Sequence, residues 1–371
     1  MDVLPAAAPP ARLILDLDAL AANWRAACGL AGRAEVAAVV KADAYGLGVG
    51  PVARRLWREG ARQFLVAHWA EAAALSAVLP EADIAVLNGV APEEMPLALA
   101  GLAVPVLNSP VEVAHWAACA PGRRAHLMID TGMNRLGLAP ADLADLPDGL
   151  AIDLMMSHLA CACEPEHPMN AAQRDAFAAL PLLGRARSLS ASHGLKLGAG
   201  FAFEHVRPGL ALYGGTGAPF RPVVRLEARI LQLRAVPAGA TVGYGATWRA
   251  ERPARLATLA IGYADGLRRA LSNLGWAELE GRRAPIVGRV SMDLTVVDVT
   301  GVPGLAEGDR VALGFDLPEL SAACGVAEYE LLTGLGQRFE RLTREAVPAS
   351  GIVGAAALAR AAAEAGSAAS A

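Results

Sequence analysis

Between residues 35 and 213 the chain alternates short, nearly unbroken apolar runs with longer Ala-rich segments of helical length. The apolar runs predict strands over 36–40, 64–67, 84–87, 105–107, 126–130, 153–157, 187–190 and 209–213. Helices are expected between them, over 49–58, 70–78, 92–100 and 110–119 among others. Pro92 and Pro110 fall in the first turn of their segments, where the missing N–H removes no helical hydrogen bond. Strands apolar along their whole length are buried on both faces, and their alternation with helices implies a parallel sheet covered by helices. Eight such units are the count of a (β/α)8 barrel. Beyond residue 220 the pattern changes. Strand-like runs over 223–233, 255–261, 284–290 and 294–299 are punctuated by Pro237-Ala238-Gly239, Glu280-Gly281 and Glu307-Gly308-Asp309, the spacing of a mostly β unit. The expected fold class is therefore α/β: an N-terminal barrel over 1–225 and a mostly β domain over 226–371. A helix is expected in the Ala-rich tail from Gly351.

Composition narrows the classes of function. The 371 residues leave room for a barrel and a second unit, and 54% hydrophobic residues exclude a disordered chain. A net charge of −4 with no basic cluster argues against nucleic acid as a partner. Five cysteines, an odd number spread widely, read as reduced thiols of a cytoplasmic protein. Cys161-Ala162-Cys163 is too tightly spaced for a zinc knuckle, and no metal site is expected. The first twelve residues have neither a basic nor an apolar segment, so no signal peptide is expected. The longest uncharged stretch, 95–111, is too short for a membrane span and holds three prolines.

One imbalance bears on chemistry. Lys41 and Lys196 are the only lysines among 33 Lys and Arg residues. Lys41 ends the first barrel strand, and residues just past the strand C-termini of such a barrel face the active site. Burial disfavours an ammonium, and the neutral amine is the nucleophile of imine chemistry, which a guanidinium cannot perform. Lys196, in a polar turn, reads as a surface residue. Other strand ends carry Tyr45, Arg135, His158, Ser192 and Arg207. Each alone fits a structural role; together they mark a site.

These positions lie in motifs: VVKADAYG (39–46), DTGMNRLG (130–137), VRPGLALYG (206–214), VGYGATW (242–248), GYADG (262–266) and GRVSMD (288–293). Together and in this order they resemble the alanine racemase family. The resemblance implies a pyridoxal 5'-phosphate (PLP) enzyme that interconverts L- and D-alanine, supplying D-alanine for peptidoglycan. It also implies a homodimer with active sites shared between subunits and a small amino acid as substrate. It assigns segment 12–18 to the β domain rather than the barrel. By resemblance, Lys41 carries PLP and acts as one catalytic base, and Tyr263 is the opposing base from the other subunit. Two bases on opposite faces suit a reaction that removes a proton from one face of Cα and returns it to the other. Arg207 would face the pyridine nitrogen, and His158 would lie beside the ring. Tyr45, Ser192 and the backbone at Gly209 and Leu210 would hold the phosphate. Arg135 and the backbone of Met292 would meet the substrate carboxylate, and Asp293 would orient that loop or support the catalytic tyrosine.

Two positions depart from the family pattern. Many members have a carbamylated lysine seven residues before the arginine of DTGMNR; here that residue is Met128, so Arg135 is expected to be oriented by a bound anion or a neighbouring side chain. A C-terminal tyrosine that reaches the phosphate in some members is missing from 332–338. A racemase of broader or different specificity, such as for serine, and a non-catalytic PLP-binding barrel are the alternatives. Arg207 argues against a decarboxylase, and the C-terminal unit with Tyr263 argues against the non-catalytic barrel.

Overall fold

The structure, a computed structural model, describes residues 8–346. The Ala-rich tail expected to be helical lies outside them. Nine parallel strand segments form one sheet: Glu35–Val36, Ala38–Val39, Gln63–Val66, Asp83–Val86, Val104–Leu107, Arg124–Met128, Ala151–Met156, Ala186–Ala191 and His205–Arg207. The first two are halves of a single strand. One half pairs with His205–Arg207 and the other with Gln63–Val66, so the ring closes as an eight-stranded barrel. The Ala37 N–H between them donates to Val206 O (3.0 Å), and the Val40 N–H to Leu65 O (2.9 Å).

Several strands begin a residue or two before their apolar runs. Asp83 and Arg124 sit inside the ladder at the barrel's N-terminal rim, where Arg124 pairs with Asp83 (3.2 Å) and with Asp153. Rim ion pairs let polar residues extend strands that apolar periodicity would stop. The expected strand over 209–213 is not formed. Pro208 lacks an N–H for the ladder, Gly209 departs from extended geometry, and Leu210–Tyr213 closes as a 3-10 turn. Its fully apolar character reflects burial against the barrel rather than sheet pairing. The expected helix over 92–100 divides into a 3-10 turn, Pro92–Glu94, and a helix, Met95–Leu99, in whose first turn Pro96 sits. A 15-residue helix, Leu17–Ala31, opens at Asp16, whose carboxylate accepts from the N–H groups of Asp18 and Ala19 (3.0 and 2.9 Å).

The second unit is built around the 13-residue strand Val224–Val236. Ala11–Asp16 pairs antiparallel to it and parallel to Glu340–Arg344, so the first and last described strands meet in this sheet. Leu17 and Asp18 belong to the helix that follows. On the other side Arg310–Leu313 pairs with the long strand, and Trp276–Leu279 and Arg282–Pro285 continue outward. Ala254–Leu259 and Thr295–Asp298 extend the upper half of the long strand. Leu13, Leu15 and Leu226 of this unit share one continuous core with the barrel helices. No helix among the described residues is long and apolar enough to cross a membrane.

Candidate active site

Lys41 stands where the first barrel strand ends, and the backbone after it turns abruptly. Ala42, Asp43, Ala44 and Tyr45 are all left-handed, with φ of 53°, 53°, 54° and 59°. Left-handed backbone costs a non-glycine residue roughly 1–2 kcal/mol, so a run of four persists only where other contacts hold it. Here the Ala44 N–H donates to Val40 O (2.8 Å) and the Gly48 N–H to Asp43 O (2.9 Å). The Asp43 carboxylate accepts from the Val49 N–H (2.7 Å), and the Glu71 carboxylate from the Ala42 N–H (2.6 Å). This turn brings two side chains four residues apart, Lys41 and Tyr45, to one cavity.

That cavity, about 630 Å³, has the size of a cofactor pocket. Its walls include Lys41, Tyr45, Arg135, His158, Ser192, Arg207, Gly209 and Leu210, eight sequence-predicted site residues drawn from separate loops. A second space of about 530 Å³ adjoins it at Lys41, Arg135 and His158 and reaches Met128 and Asn88.

Charge is distributed unevenly. Burial, then the Arg135 guanidinium, hold the Lys41 ammonium below its ordinary range, while Glu71 opposes them. Burial and the cations Arg207, Arg135 and Lys41 lower His158 to about 3, so it is neutral at working pH. Arg207 is fully buried and lowered by that burial to about 10, still a cation near pH 7. Its guanidinium donates to Ser157 O (2.6 Å) and to the Ser188 hydroxyl. A guanidinium has further donors to present to the cavity.

Another part of the same cavity wall is made for an anion. The Ser192 hydroxyl accepts from the N–H groups of Gly209 and Ala211 (both 3.0 Å), leaving its own proton to donate outward. The Gly209 N–H is therefore already used; what Gly209 offers is its missing side chain. A Cβ there would lie 2.2 Å from Tyr45 Oη. The Leu210 N–H, at the first position of its 3-10 turn, has no partner within the turn. Burial raises the Tyr45 phenol, keeping it a neutral donor. Its ring packs on Tyr213 (4.7 Å between centroids) and stacks on Tyr329 (6.0 Å). Sequence reasoning missed Tyr329, which enters the cavity wall from the helix Glu328–Thr333, just before the segment searched for a tyrosine. An amine at a strand end, a buried cation in the same cavity wall and a cradle of hydroxyls fit the aldehyde, ring and phosphate of PLP. Met128 is buried and lines the adjoining space, and no carbamate forms there.

Tyr263, Met292 and Asp293 are brought together elsewhere. They line neither space and sit on the β unit, where Tyr263 is 44% and Met292 54% exposed. The Tyr263 N–H donates to Ser291 O and the Ala264 N–H to Met292 O (both 3.0 Å), joining the two loops. Arg338, also missed in the sequence, ties them from below, donating to Asp265 and to Asp293 (both 2.8 Å).

Comparison with known proteins gives a consistent result. A family model described as the alanine racemase N-terminal domain matches residues 15–217, and one for the C-terminal domain matches 223–343. The chain is 49% identical over 352 residues to an alanine racemase of Methylobacterium sp. (strain 4-46), covering 89% of this chain and 97% of that one. Among solved structures it resembles the alanine racemase of Bartonella henselae with covalently bound pyridoxal phosphate, at 37% identity and TM-score 0.83, covering 92% of this chain and 100% of that chain. It is equally similar in fold to the biosynthetic alanine racemase of Pseudomonas aeruginosa, at 34% identity and TM-score 0.83, with 91% and 100% covered.

Proposed function

We propose, for a chain that belongs to the alanine racemase family and so interconverts L- and D-alanine with PLP, how its residues divide the work. When bound, PLP supplies an electron-withdrawing ring that acidifies the Cα–H of the amino acid it holds. Lys41 would carry the cofactor, and its amine would move the proton at one face of Cα. Tyr263 would hold or return the proton at the opposite face through Oη. Arg207, charged and buried, would donate to the pyridine nitrogen and keep that nitrogen from taking a proton, which limits charge build-up in the ring. His158, neutral, would pack beside it. Tyr45, Ser192 and the Leu210 N–H would hold the phosphate, with Gly209 leaving room, and Tyr329 adds an aromatic wall there. Arg135 and the backbone of Met292 would receive the substrate carboxylate, and Asp293 would support the Met292 loop.

In this reading the barrel unit, 1–225 without segment 12–18, holds the cofactor, and the β unit, 226–371 joined by that segment, supplies the second base. Tyr263 and Met292 lie outside the Lys41 cavity and are exposed, which supports a homodimer in which each β unit completes its partner's site. Cytoplasmic supply of D-alanine for peptidoglycan completes the proposal. The observation that carries it is Lys41 at the strand end, lining one cavity together with Arg207, Ser192 and Tyr45.

The test is a visible cofactor band in the purified protein, followed by exchange of the alanine α-proton for deuterium. Lys41→Ala and Tyr263→Phe are expected to cut exchange by roughly 10²–10⁴-fold, starting from opposite enantiomers. Loss from the same enantiomer in both variants would refute the two-base assignment.

A further inference from the structure

Glu71 has no role in the assignments above, yet its carboxylate is the point where two barrel loops are joined. It stands in the first turn of the helix Trp69–Val78, which follows the neighbouring strand Gln63–Val66. One oxygen, Oε2, accepts from the N–H groups of Ala67 (2.7 Å) and His68 (3.2 Å), closing its own strand-to-helix turn. The other, Oε1, crosses to accept from the Ala42 N–H (2.6 Å), the first residue of the left-handed run after Lys41.

We infer that Glu71 is a positioning residue for Lys41, clamping the left-handed turn that aims the amine into the cavity and holding a carboxylate on the backbone of the residue next to it. The inference rests on Lys41 being the cofactor-bearing residue. The first half follows from conformation. Ala42–Tyr45 contains no glycine, so its left-handed geometry must be imposed from outside, and Ala42 is where the imposition begins. Releasing the Ala42 N–H lets the residue next to Lys41 relax toward ordinary backbone, which re-aims the lysine side chain.

The second half follows from the groups around the amine. Arg135 lines its cavity from the loop after Arg124–Met128, His158 from the end of Ala151–Met156, His193 from the loop after Ala186–Ala191, Arg207 from His205–Arg207, and Glu328 and Tyr329 from Glu328–Thr333, while Asp130 lines the adjoining space. Tyr45 and Asp43 lie on its own turn, where the Asp43 carboxylate is engaged by the Val49 N–H. His158 and Tyr45 are neutral, and Arg135 and Arg207 are positive. Glu71, held 2.6 Å from the Ala42 N–H, places a negative charge beside Lys41 that opposes burial and Arg135. Without it the amine would lose its proton at lower pH.

The experiment uses the full chain freed of cofactor, to which PLP is added at a series of pH values while the visible band is followed. The pH midpoint of the attachment rate reports the Lys41 amine, independently of racemase activity. Glu71→Gln removes the charge and sets an amide N–H₂ against one of the N–H donors. Its midpoint is expected to fall by about one unit. Glu71→Asp keeps the charge but is one methylene too short to span both loops; it is expected to keep the wild-type midpoint and to attach PLP several-fold more slowly. An unmoved midpoint in folded Glu71→Gln overturns the charge role. Wild-type attachment rates in Glu71→Asp overturn the clamp, and this arm stands even where Glu71→Gln does not fold. Absence of a band in the wild-type chain would instead overturn the cofactor assignment on which the inference rests.

Discussion

Arginine and lysine are both cations, but only lysine can give up its proton near neutral pH, and the chain separates the two uses. Lys41 stands alone among arginines at a strand end, a contrast visible in composition before any geometry. Arg207 is the converse: its burial would discharge a lysine, and as a guanidinium it stays charged at about 10. Two histidines show burial outweighing what opposes it, which at His126 is the charge of Asp83 and Asp153. His126 and His205 sit in adjacent regions of the barrel interior, each with Nδ1 buried and unpartnered, and burial lowers them to about 4 and about 3. An unfolded histidine titrates near 6.5. Above that pH both states are neutral and the fold loses nothing. As pH falls below it, the unfolded chain takes up protons that the folded chain refuses, so stability declines toward pH 4. Each histidine contributes up to about 1.4 kcal/mol per pH unit over that window. His126→Gln is therefore expected to reduce the drop in urea midpoint between pH 7 and pH 5. An undiminished drop would show that other groups dominate acid unfolding.

At the level of elements, legibility followed how directly a residue's environment is written in its side chain. Barrel strands such as Val104–Leu107 are apolar because both faces are buried, and their existence could be read directly. Glu340–Arg344 is an edge strand with mostly polar residues, and apolar periodicity gives it no signal. Leu210–Tyr213 is as apolar as a strand but follows a proline and bends into a 3-10 turn, so its apolar character reports burial and not pairing. The left-handed turn after Lys41 is invisible in Ala-Asp-Ala-Tyr, because the bond at its first residue comes from Glu71 on another element. Arg338 went unread for the same reason: it touches nothing near it in sequence. Its two ion pairs join Asp265, which caps the Gly262 N–H (2.9 Å), to Asp293. Gly262 has no alternative to this packing, since a Cβ there would lie 2.3 Å from Ser291 O. Arg338→Met frees both loops and is expected to lower kcat about tenfold to a hundredfold through misplacement of Tyr263, while the PLP band and its affinity hold. A parallel loss of cofactor would place Arg338 with the barrel site instead.

For the whole molecule, the decisive fact is that the two halves of the proposed chemistry do not meet within one chain. Lys41 and its cradle line the barrel cavity, whereas Tyr263, Met292 and Leu294 form an exposed, partly apolar face on the β unit. In the proposed homodimer a two-fold axis would bring each such face to the partner's barrel, twice over, so each subunit would give a base to its partner and receive one. This arrangement makes a prediction that no single-chain site shares. In a homodimer of Lys41→Ala every site lacks the cofactor-bearing amine, and in one of Tyr263→Phe every site lacks the phenol. A mixed dimer concentrates both defects in one site and leaves the other with an intact Lys41 and an intact Tyr263. Co-expression of the two variants under different tags, with random pairing, is expected to restore about a quarter of the wild-type racemisation rate. Dimers purified through both tags should carry one working site each, about half the wild-type rate per dimer. If doubly tagged dimers show no more activity than either parent, Tyr263 does not act across the interface, and the second base must be sought within the barrel's own chain.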